Sequence, residues 1–143
     1  MFKTFTLSAA VVALAVSVFT IGGAHGHGDV QPQPVDIGGL ELLGDEWRET
    51  NPYVGNEEAI EIGSSAYNQN CARCHGLGAI SGGIAPDLRE LPSDAEGDEW
   101  YIMRARNGAI RNGITYMPAF EEILGQEALW AIRAWLITIA EDA

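Results

Sequence analysis

Apolar positions recur at helical spacing in the part of the chain that follows residue 56. The stripe is formed by residues three or four positions apart: Ala59, Ile60, Gly63 and Tyr67. Asn56 precedes this stripe and is a favourable N-cap. The two glutamates directly after Asn56 suit the positive end of a helix dipole. The pattern predicts a helix that begins after Asn56 and runs into the sequence NCARCHG.

Two further helices are predicted toward the C-terminus. The clearest covers residues 126–140, where four apolar residues step by three, four and three positions: Leu129, Ile132, Leu136 and Ile139. Trp135 widens this stripe. A shorter helix is predicted over residues 96–107, with Met103 expected in the core. No strand pattern stands out, so an all-α fold of three to four short helices is expected.

Glycine and proline mark the connections between these helices. Segment 76–88 is predicted to be a loop because it is rich in glycine and contains a proline. Asn-Gly pairs at residues 107 and 112 indicate turns. The sequence YMPAF is also expected to be a loop, since Pro118 disfavours a helical conformation at Met117.

The first 55 residues lack this helical pattern. Residues 1–24 contain one lysine, an apolar run and then small residues, the order of a secretory signal peptide. We expect cleavage after Ala24, export to the periplasm and no stable membrane insertion afterwards. An uncleaved anchor is the alternative, although the apolar run is short for a bilayer span. Residues 25–55 are typical of an extended arm, whose later part should lie against the domain through Trp47 and Tyr53. The compact domain is expected at residues 56–143.

The charge is strongly acidic, with 20 Asp and Glu against 8 Lys and Arg, a net charge of −12 at pH 7. Cleavage after residue 24 removes Lys3 and no acid, which lowers the net charge from −12 to −13. Such a surface repels nucleic acid and anionic lipid and steers the chain toward a basic patch on a partner protein. The alternative is that the charge serves solubility alone.

The only two cysteines of the chain, Cys71 and Cys74, are followed directly by His75. A structural zinc site needs four ligands, and the other histidines, His25 and His27, lie in the arm. In a thiol-disulfide oxidoreductase the pair normally follows a strand in a βαβ unit, whereas here it ends a predicted helix. A disulfide across two residues closes a very small loop and leaves His75 unexplained.

The spacing Cys-x-x-Cys-His is the attachment signature of c-type haem. Two thioether bonds would join Cys71 and Cys74 to the vinyl groups of one haem c, and His75 would become the proximal ligand of the iron. An iron that only carries electrons needs a sixth ligand. Met117 is predicted to be that ligand, because a thioether stabilises ferrous iron and raises the potential.

Residues near the methionine loop are candidates for binding the haem propionates. We predict Trp100 and Arg106 for this role, since arginine offsets carboxylate charge. Tyr116, Arg104 and Arg111 are alternatives, and a solvated surface position is the alternative role for each arginine. After cleavage, His25 could chelate copper through its amine and imidazole, although no third ligand is visible.

Residues 56–143 resemble a class I c-type cytochrome. The resemblance rests on CARCH, GIAPDL, YMPAF and EALWAIRAWL. It implies that the first and last helices cross through Gly63 and Tyr67, with Trp135 facing them. It also implies that the carbonyl of Pro86 accepts the ring N–H of His75.

The stretches GDEWRETNPY, IGSSAYNQNCARCHG, ISGGIAPDL and RNG–YMP are similar to those of small periplasmic cytochromes, related to cytochrome cL, that accept electrons from pyrroloquinoline-quinone (PQQ) alcohol dehydrogenases. This resemblance implies a monomeric one-electron carrier rather than an enzyme. Its donor would be such a dehydrogenase, and its acceptor a downstream cytochrome or terminal oxidase of the respiratory chain.

Acidic residues are expected around the exposed haem edge, where they would orient docking. Some cL-type proteins also carry calcium near the haem, and no residue of this sequence identifies such a site. Two alternatives stay open. One is a carrier for a different periplasmic partner, and the other is a haem peroxidase or gas-binding sensor with an open sixth position.

Overall fold

The computed structural model describes residues 31–141, and helices dominate this part of the chain. In chain order they are α1 Glu57–Asn70, α2 Ala72–His75, α3 Ala95–Asn107 and α4 Glu121–Thr138. Short 3₁₀ helices occur at Leu77–Ala79 and Leu88–Glu90. The predicted helical fold is therefore confirmed. The predicted leader, His25 and His27 lie outside the described residues. Within residues 31–141, no helix combines the length and the apolar character that a membrane span requires.

Helix α1 begins where the sequence predicts and crosses α4 at very short range. The side-chain oxygen of Asn56 accepts a hydrogen bond from the backbone N–H of Ala59 at 3.0 Å, which caps the helix. A Cβ atom placed on Gly63 would lie 1.9 Å from the carbonyl oxygen of Ala131. Only glycine therefore allows the backbones of α1 and α4 to touch at this point.

An aromatic pair next to this crossing connects the helices to the cysteine motif. The ring centroids of Tyr67 and Trp135 lie 4.6 Å apart, and Tyr67 is fully buried. The hydroxyl of Tyr67 donates a hydrogen bond to the carbonyl oxygen of Gly76 at 2.7 Å. The packing of α1 on α4 thus also holds the backbone directly after His75.

Helix α4 begins earlier than predicted. Residues 121–124 form a first turn, and Gly125, with φ 68° and ψ 173°, then interrupts the helical conformation. The predicted start at residue 126 corresponds to the longer part that follows this interruption. Its buried face includes Leu129, Ile132 and Leu136, as the apolar stripe predicted.

A small β-hairpin, which the sequence did not predict, follows α3. Strand β1 Ala109–Arg111 pairs with β2 Ile114–Met117 in antiparallel orientation. Asn112 and Gly113 both have positive φ, 52° and 77°, as the two-residue turns of tight hairpins require. Strands of three and four residues are too short to show a recognisable alternation. Met117 therefore ends a strand rather than lying in a loop.

Met103 does not lie in the core, and the prediction for this residue was wrong. Its relative exposure is 44%. The buried face of α3 is formed by Gly97, Asp98, Tyr101, Ile102 and Ala105.

Residues 31–55 form no helix or strand, yet they pack closely on the helices. Leu40, Leu43 and Tyr53 are buried. The backbone N–H of Leu43 donates to Glu127 at 2.9 Å, and the side chain of Gln126 donates to the carbonyl oxygen of Glu46 at 3.1 Å. This segment therefore contributes to the core.

A buried ion pair connects α3, α4 and this N-terminal segment. Arg133 has no exposed surface, and its Nε lies 2.7 Å from a carboxylate oxygen of Asp98. The other carboxylate oxygen of Asp98 accepts the backbone N–H of Asn51 at 2.8 Å. A paired carboxylate is the arrangement that makes a buried arginine tolerable.

Candidate functional site

One cavity brings together the side chains that the sequence singled out. It has a volume of about 510 Å³ and is lined by Cys71, Cys74, His75 and Met117. Its wall is otherwise mainly apolar and includes Leu88, Ala105, Phe120, Leu124, Leu129 and Ile132. Both its size and its lining are typical of small-molecule and cofactor sites.

His75 ends α2 and is held by a backbone carbonyl. It is buried, and its Nδ1 lies 2.8 Å from the carbonyl oxygen of Pro86. When Nδ1–H donates to this carbonyl, Nε2 carries the free lone pair and can bind a metal. Gly76, the next residue, has φ 85°, and a Cβ there would lie 1.9 Å from the carbonyl oxygen of Ile80. Glycine is therefore needed for the sharp turn after the histidine.

The loop that presents Pro86 is organised by Asp87. The carboxylate of Asp87 accepts the backbone N–H of Ser81 at 3.1 Å and ion-pairs with Arg89 at 2.8 Å. Hydrogen bonding from the Arg89 side chain is the main reason that the pKa of Asp87 lies well below its usual range. A charged Asp87 thus closes the loop between residues 81 and 89.

The two cysteine thiols form no disulfide in the structure. Burial, and next the proximity of Cys74, raise the pKa of the Cys71 thiol to about 12. Thiols active in disulfide exchange have lowered pKa values instead, so this environment argues against a redox switch. Among residues 31–141, no group of three or more His, Cys, Asp or Glu could hold a metal ion.

Met117 reaches the cavity from the end of β2, whereas Met103 does not line it. A Cβ on Gly108 would lie 2.3 Å from the carbonyl oxygen of Met117. Gly108 also has φ 67°, a conformation that favours glycine. The junction of α3 and the hairpin therefore packs directly against the backbone of the methionine.

The structure places Trp100, Arg104, Arg111 and Tyr116 on the cavity, but not Arg106. The guanidinium of Arg106 is ion-paired with Glu121 at 2.9 Å and lies 4.1 Å from the ring centroid of Trp47. The prediction that Arg106 binds a propionate therefore does not fit. Both partners are distant in sequence, so the pattern around Arg106 gave no sign of them.

These residues fit a covalently attached haem. The cavity offers two thiols three positions apart, an imidazole whose Nδ1 faces a backbone carbonyl, a thioether and a mainly apolar wall. Arg104 and Arg111 are its only arginines, and arginine is well suited to carboxylate groups such as propionates.

Comparison with known proteins places the chain among haem proteins. A family model described as cytochrome c oxidase, cbb3-type, subunit III matches residues 58–136. The chain is 54% identical over 144 residues to cytochrome c550 of Pseudomonas aeruginosa, with 98% of each sequence covered. It is also 35% identical over 92 residues to the quinohemoprotein alcohol dehydrogenase ADH-IIG of Pseudomonas putida. That match covers 64% of this chain and 12% of the dehydrogenase.

Two solved structures have a similar fold. Cytochrome cL from Methylophaga aminisulfidivorans MPT gives a TM-score of 0.53 at 20% identity, over 74% of each chain. The quinohemoprotein dehydrogenase ADHIIG from Pseudomonas putida HK5 gives a TM-score of 0.51 at 31% identity. In that case 72% of this chain and 14% of the dehydrogenase chain are covered.

Proposed function

The chain belongs to the c-type cytochrome family, and we propose that it is a periplasmic carrier with a single haem c, which accepts electrons from a PQQ-dependent alcohol dehydrogenase. As a cytochrome of this family it is an electron-transfer protein rather than an enzyme. When bound, the haem supplies a one-electron couple between ferric and ferrous iron. The export part of the proposal rests on the leader pattern of residues 1–24.

The observation that carries the proposal is the convergence of four side chains on one apolar cavity. Cys71 and Cys74 would hold the haem through thioether bonds, and His75 and Met117 would bind the iron. Pro86 would orient the imidazole through its carbonyl oxygen, which lies 2.8 Å from Nδ1. The mainly apolar wall would control the access of solvent to the iron and so tune its redox potential.

The axial role of Met117 can be tested with a matched methionine. We expect Met117→Ala to abolish the methionine–iron band of the oxidised protein and to let the reduced protein bind carbon monoxide. Met103→Ala is the control, because Met103 is exposed and does not line the cavity. Its spectrum should equal that of the wild type. An unchanged spectrum in Met117→Ala would rule out this ligand, and a purified wild type with the mass of bare polypeptide would rule out covalent haem.

The proposed donor follows from the dehydrogenase relatives. A quinohaemoprotein carries its quinone and haem in one protein, and this chain matches only 12–14% of the length of ADH-IIG. A separate chain with the same kind of haem domain can accept electrons from a dehydrogenase that has no haem domain of its own. We propose a downstream cytochrome or terminal oxidase as acceptor and a monomeric state for the carrier.

Stopped-flow kinetics tests the donor. A purified PQQ alcohol dehydrogenase with its alcohol should reduce the oxidised haem protein in a second-order reaction. Reduction by the small neutral reagent hydroquinone, but not by the dehydrogenase, would favour a different periplasmic partner. Rapid, tight binding of carbon monoxide to the reduced wild type would favour a peroxidase or gas sensor, because these need an open iron position.

A further inference from the structure

The short segment between Met117 and helix α4 is attached to the C-terminal end of α3. A Cβ atom on Gly108 would lie 2.3 Å from the carbonyl oxygen of Met117, so the two backbones touch there. Three residues after Met117, the backbone N–H of Phe120 donates to the carbonyl oxygen of Ala105 at 3.0 Å. The position of Met117 in the cavity therefore depends on how firmly this segment is held against α3.

The segment leads into a first turn of α4 that is distinct from the rest of that helix. Residues 121–124 form this turn, and Gly125, with φ 68° and ψ 173°, follows it. Such a conformation lies far outside the α-helical region, so the turn is not a rigid continuation of the longer helix. Contacts with other elements are needed to restrain it.

Arg106 of α3 supplies one such contact. Its guanidinium donates two hydrogen bonds to the carboxylate of Glu121, at 2.9 and 3.1 Å, a bidentate geometry that fixes the direction of approach as well as the distance. Hydrogen bonding from Arg106 is also the main reason that the pKa of Glu121 lies below its usual value. The pair thus joins α3 to the first residue of α4, four positions after Met117.

Trp47 of the N-terminal segment lies over this ion pair. The guanidinium carbon of Arg106 is 4.1 Å from the centroid of the Trp47 ring, within the range of a cation–π contact. Both neighbours of Trp47 are bound to the buried side chain of Gln126. The backbone N–H of Arg48 donates to its Oε1 at 3.3 Å, and the carbonyl oxygen of Glu46 accepts from its Nε2 at 3.1 Å. Gln126 therefore holds the Trp47 ring in place over Arg106.

We propose that Trp47, Arg106 and Glu121 position Met117 for its bond to the haem iron. We call these three residues the methionine clamp. The inference rests on the proposed function, in which Met117 is an axial ligand. None of the three lines the cavity, so they act through the backbone of residues 117–121 and not by contact with the haem. A segment that is already ordered loses less conformational entropy when its thioether binds, which favours the bond.

An added ligand that competes with Met117 measures this effect. Imidazole can bind ferric haem iron in place of the methionine, and the methionine–iron band is then lost. We expect Trp47→Leu and Arg106→Gln each to lower the imidazole concentration at half-displacement about tenfold, because a looser segment must be ordered to keep the thioether on the iron. The reduction potential of both variants should also fall, since the thioether raises it.

Two controls separate this effect from changes in charge and in overall stability. Arg48→Gln removes one positive charge next to Trp47, and Arg48 is exposed and forms no ion pair among residues 31–141. Gly63→Ala weakens the fold at the crossing of α1 and α4, where the added methyl group meets the backbone of Ala131. Both controls should bind imidazole with the affinity of the wild type.

A double variant tests whether the two side chains act together. Trp47→Leu and Arg106→Gln remove parts of the same cluster, so their effects should not add. We expect the double variant to bind imidazole no more tightly than the stronger of the two single variants. Fully additive effects would mean that Trp47 and Arg106 act separately, and this would overturn the clamp as a unit.

The outcomes separate this inference from the proposed function. A wild type without a methionine–iron band overturns the axial role of Met117 and this inference with it. A wild type that shows the band, while Trp47→Leu and Arg106→Gln keep the wild-type affinity for imidazole and the wild-type potential, overturns the inference alone, even if both variants unfold at a lower denaturant concentration. An equal gain in imidazole affinity in Gly63→Ala would assign the effect to a general loss of stability and also overturn the inference.

Discussion

Gly63 illustrates how a single missing side chain determines the arrangement of the two longest helices. Its Cα faces the backbone of α4, with the carbonyl carbon of Ala131 only 2.4 Å from the position that a Cβ would occupy. A neighbouring side chain could rotate away from an added methyl group, but backbone atoms within a helix cannot. The contact therefore depends on glycine.

We predict that Gly63→Ala destabilises the haem-loaded protein by about 3 kcal/mol, since overpacking against backbone forces the helices apart. Denaturant unfolding followed by haem absorbance measures this change. Gly82→Ala is the control, because a Cβ at Gly82 meets nothing within 4 Å. Equal midpoints for the two variants would contradict the close crossing.

The position of a residue in the fold could be predicted where a sequence motif specifies it. It could not be predicted where the residue is held by a partner that is distant in the sequence. Gly63 and Tyr67 follow from the family resemblance and occupy the crossing as that resemblance implies. Arg106 was predicted to bind a haem propionate, but it contacts the ring of Trp47 and forms an ion pair with Glu121 away from the cavity. Apolar neighbours in the sequence also placed Met103 in the core, although helical geometry turns it outward.

At the scale of elements, the helices were easier to predict than the segments between them. Caps and apolar stripes are local signals, so α1 and α3 start and end within a residue or two of their predicted limits. Residues 31–55 are held by hydrogen bonds to partners 19 to 84 positions away. No local pattern contains this information, so only the approach of Trp47 and Tyr53 to the domain could be expected.

The loop between residues 81 and 89 is an element whose stability should depend on pH. The folded-state pKa of Asp87 is depressed by Arg89, so its stabilisation is present above the unfolded-state pKa of about 3.9. It is lost as the pH falls from about 4 toward the lower folded value. We predict that Asp87→Asn reduces the fall in unfolding free energy between pH 5 and pH 2, as measured by denaturant titration.

Asp45→Asn is the matched control for this prediction, because Asp45 is an exposed carboxylate in the N-terminal segment. Its acid titration should follow that of the wild type. If Asp87→Asn shows the wild-type loss of stability across the same pH range, the ion pair with Arg89 does not stabilise the loop that presents Pro86.

At the scale of the whole molecule, the haem cavity determines whether the helices form one core. Residues from α3 and α4 and from the cysteine motif all line it, so a group that fills the cavity would contact all three. Without the haem, the mainly apolar lining of this cavity of about 510 Å³ would face water, and covering such a lining stabilises a fold in proportion to the apolar area removed from water. The whole stability of a typical domain is only about 5–15 kcal/mol, so the loss of this burial is large in comparison.

We therefore predict that the chain does not fold without its haem. The double variant Cys71→Ala/Cys74→Ala, which cannot form the thioethers, should show a much weaker circular dichroism signal at 222 nm and no cooperative unfolding. Haem-loaded Met103→Ala is the control, since it keeps the cavity filled and should unfold cooperatively. Native helical signal and sigmoidal unfolding in the haem-free double variant would mean that α1, α3 and α4 pack without the cofactor. The cavity would then be a binding site within a finished fold, whereas the energetic argument makes the haem a part of the core itself.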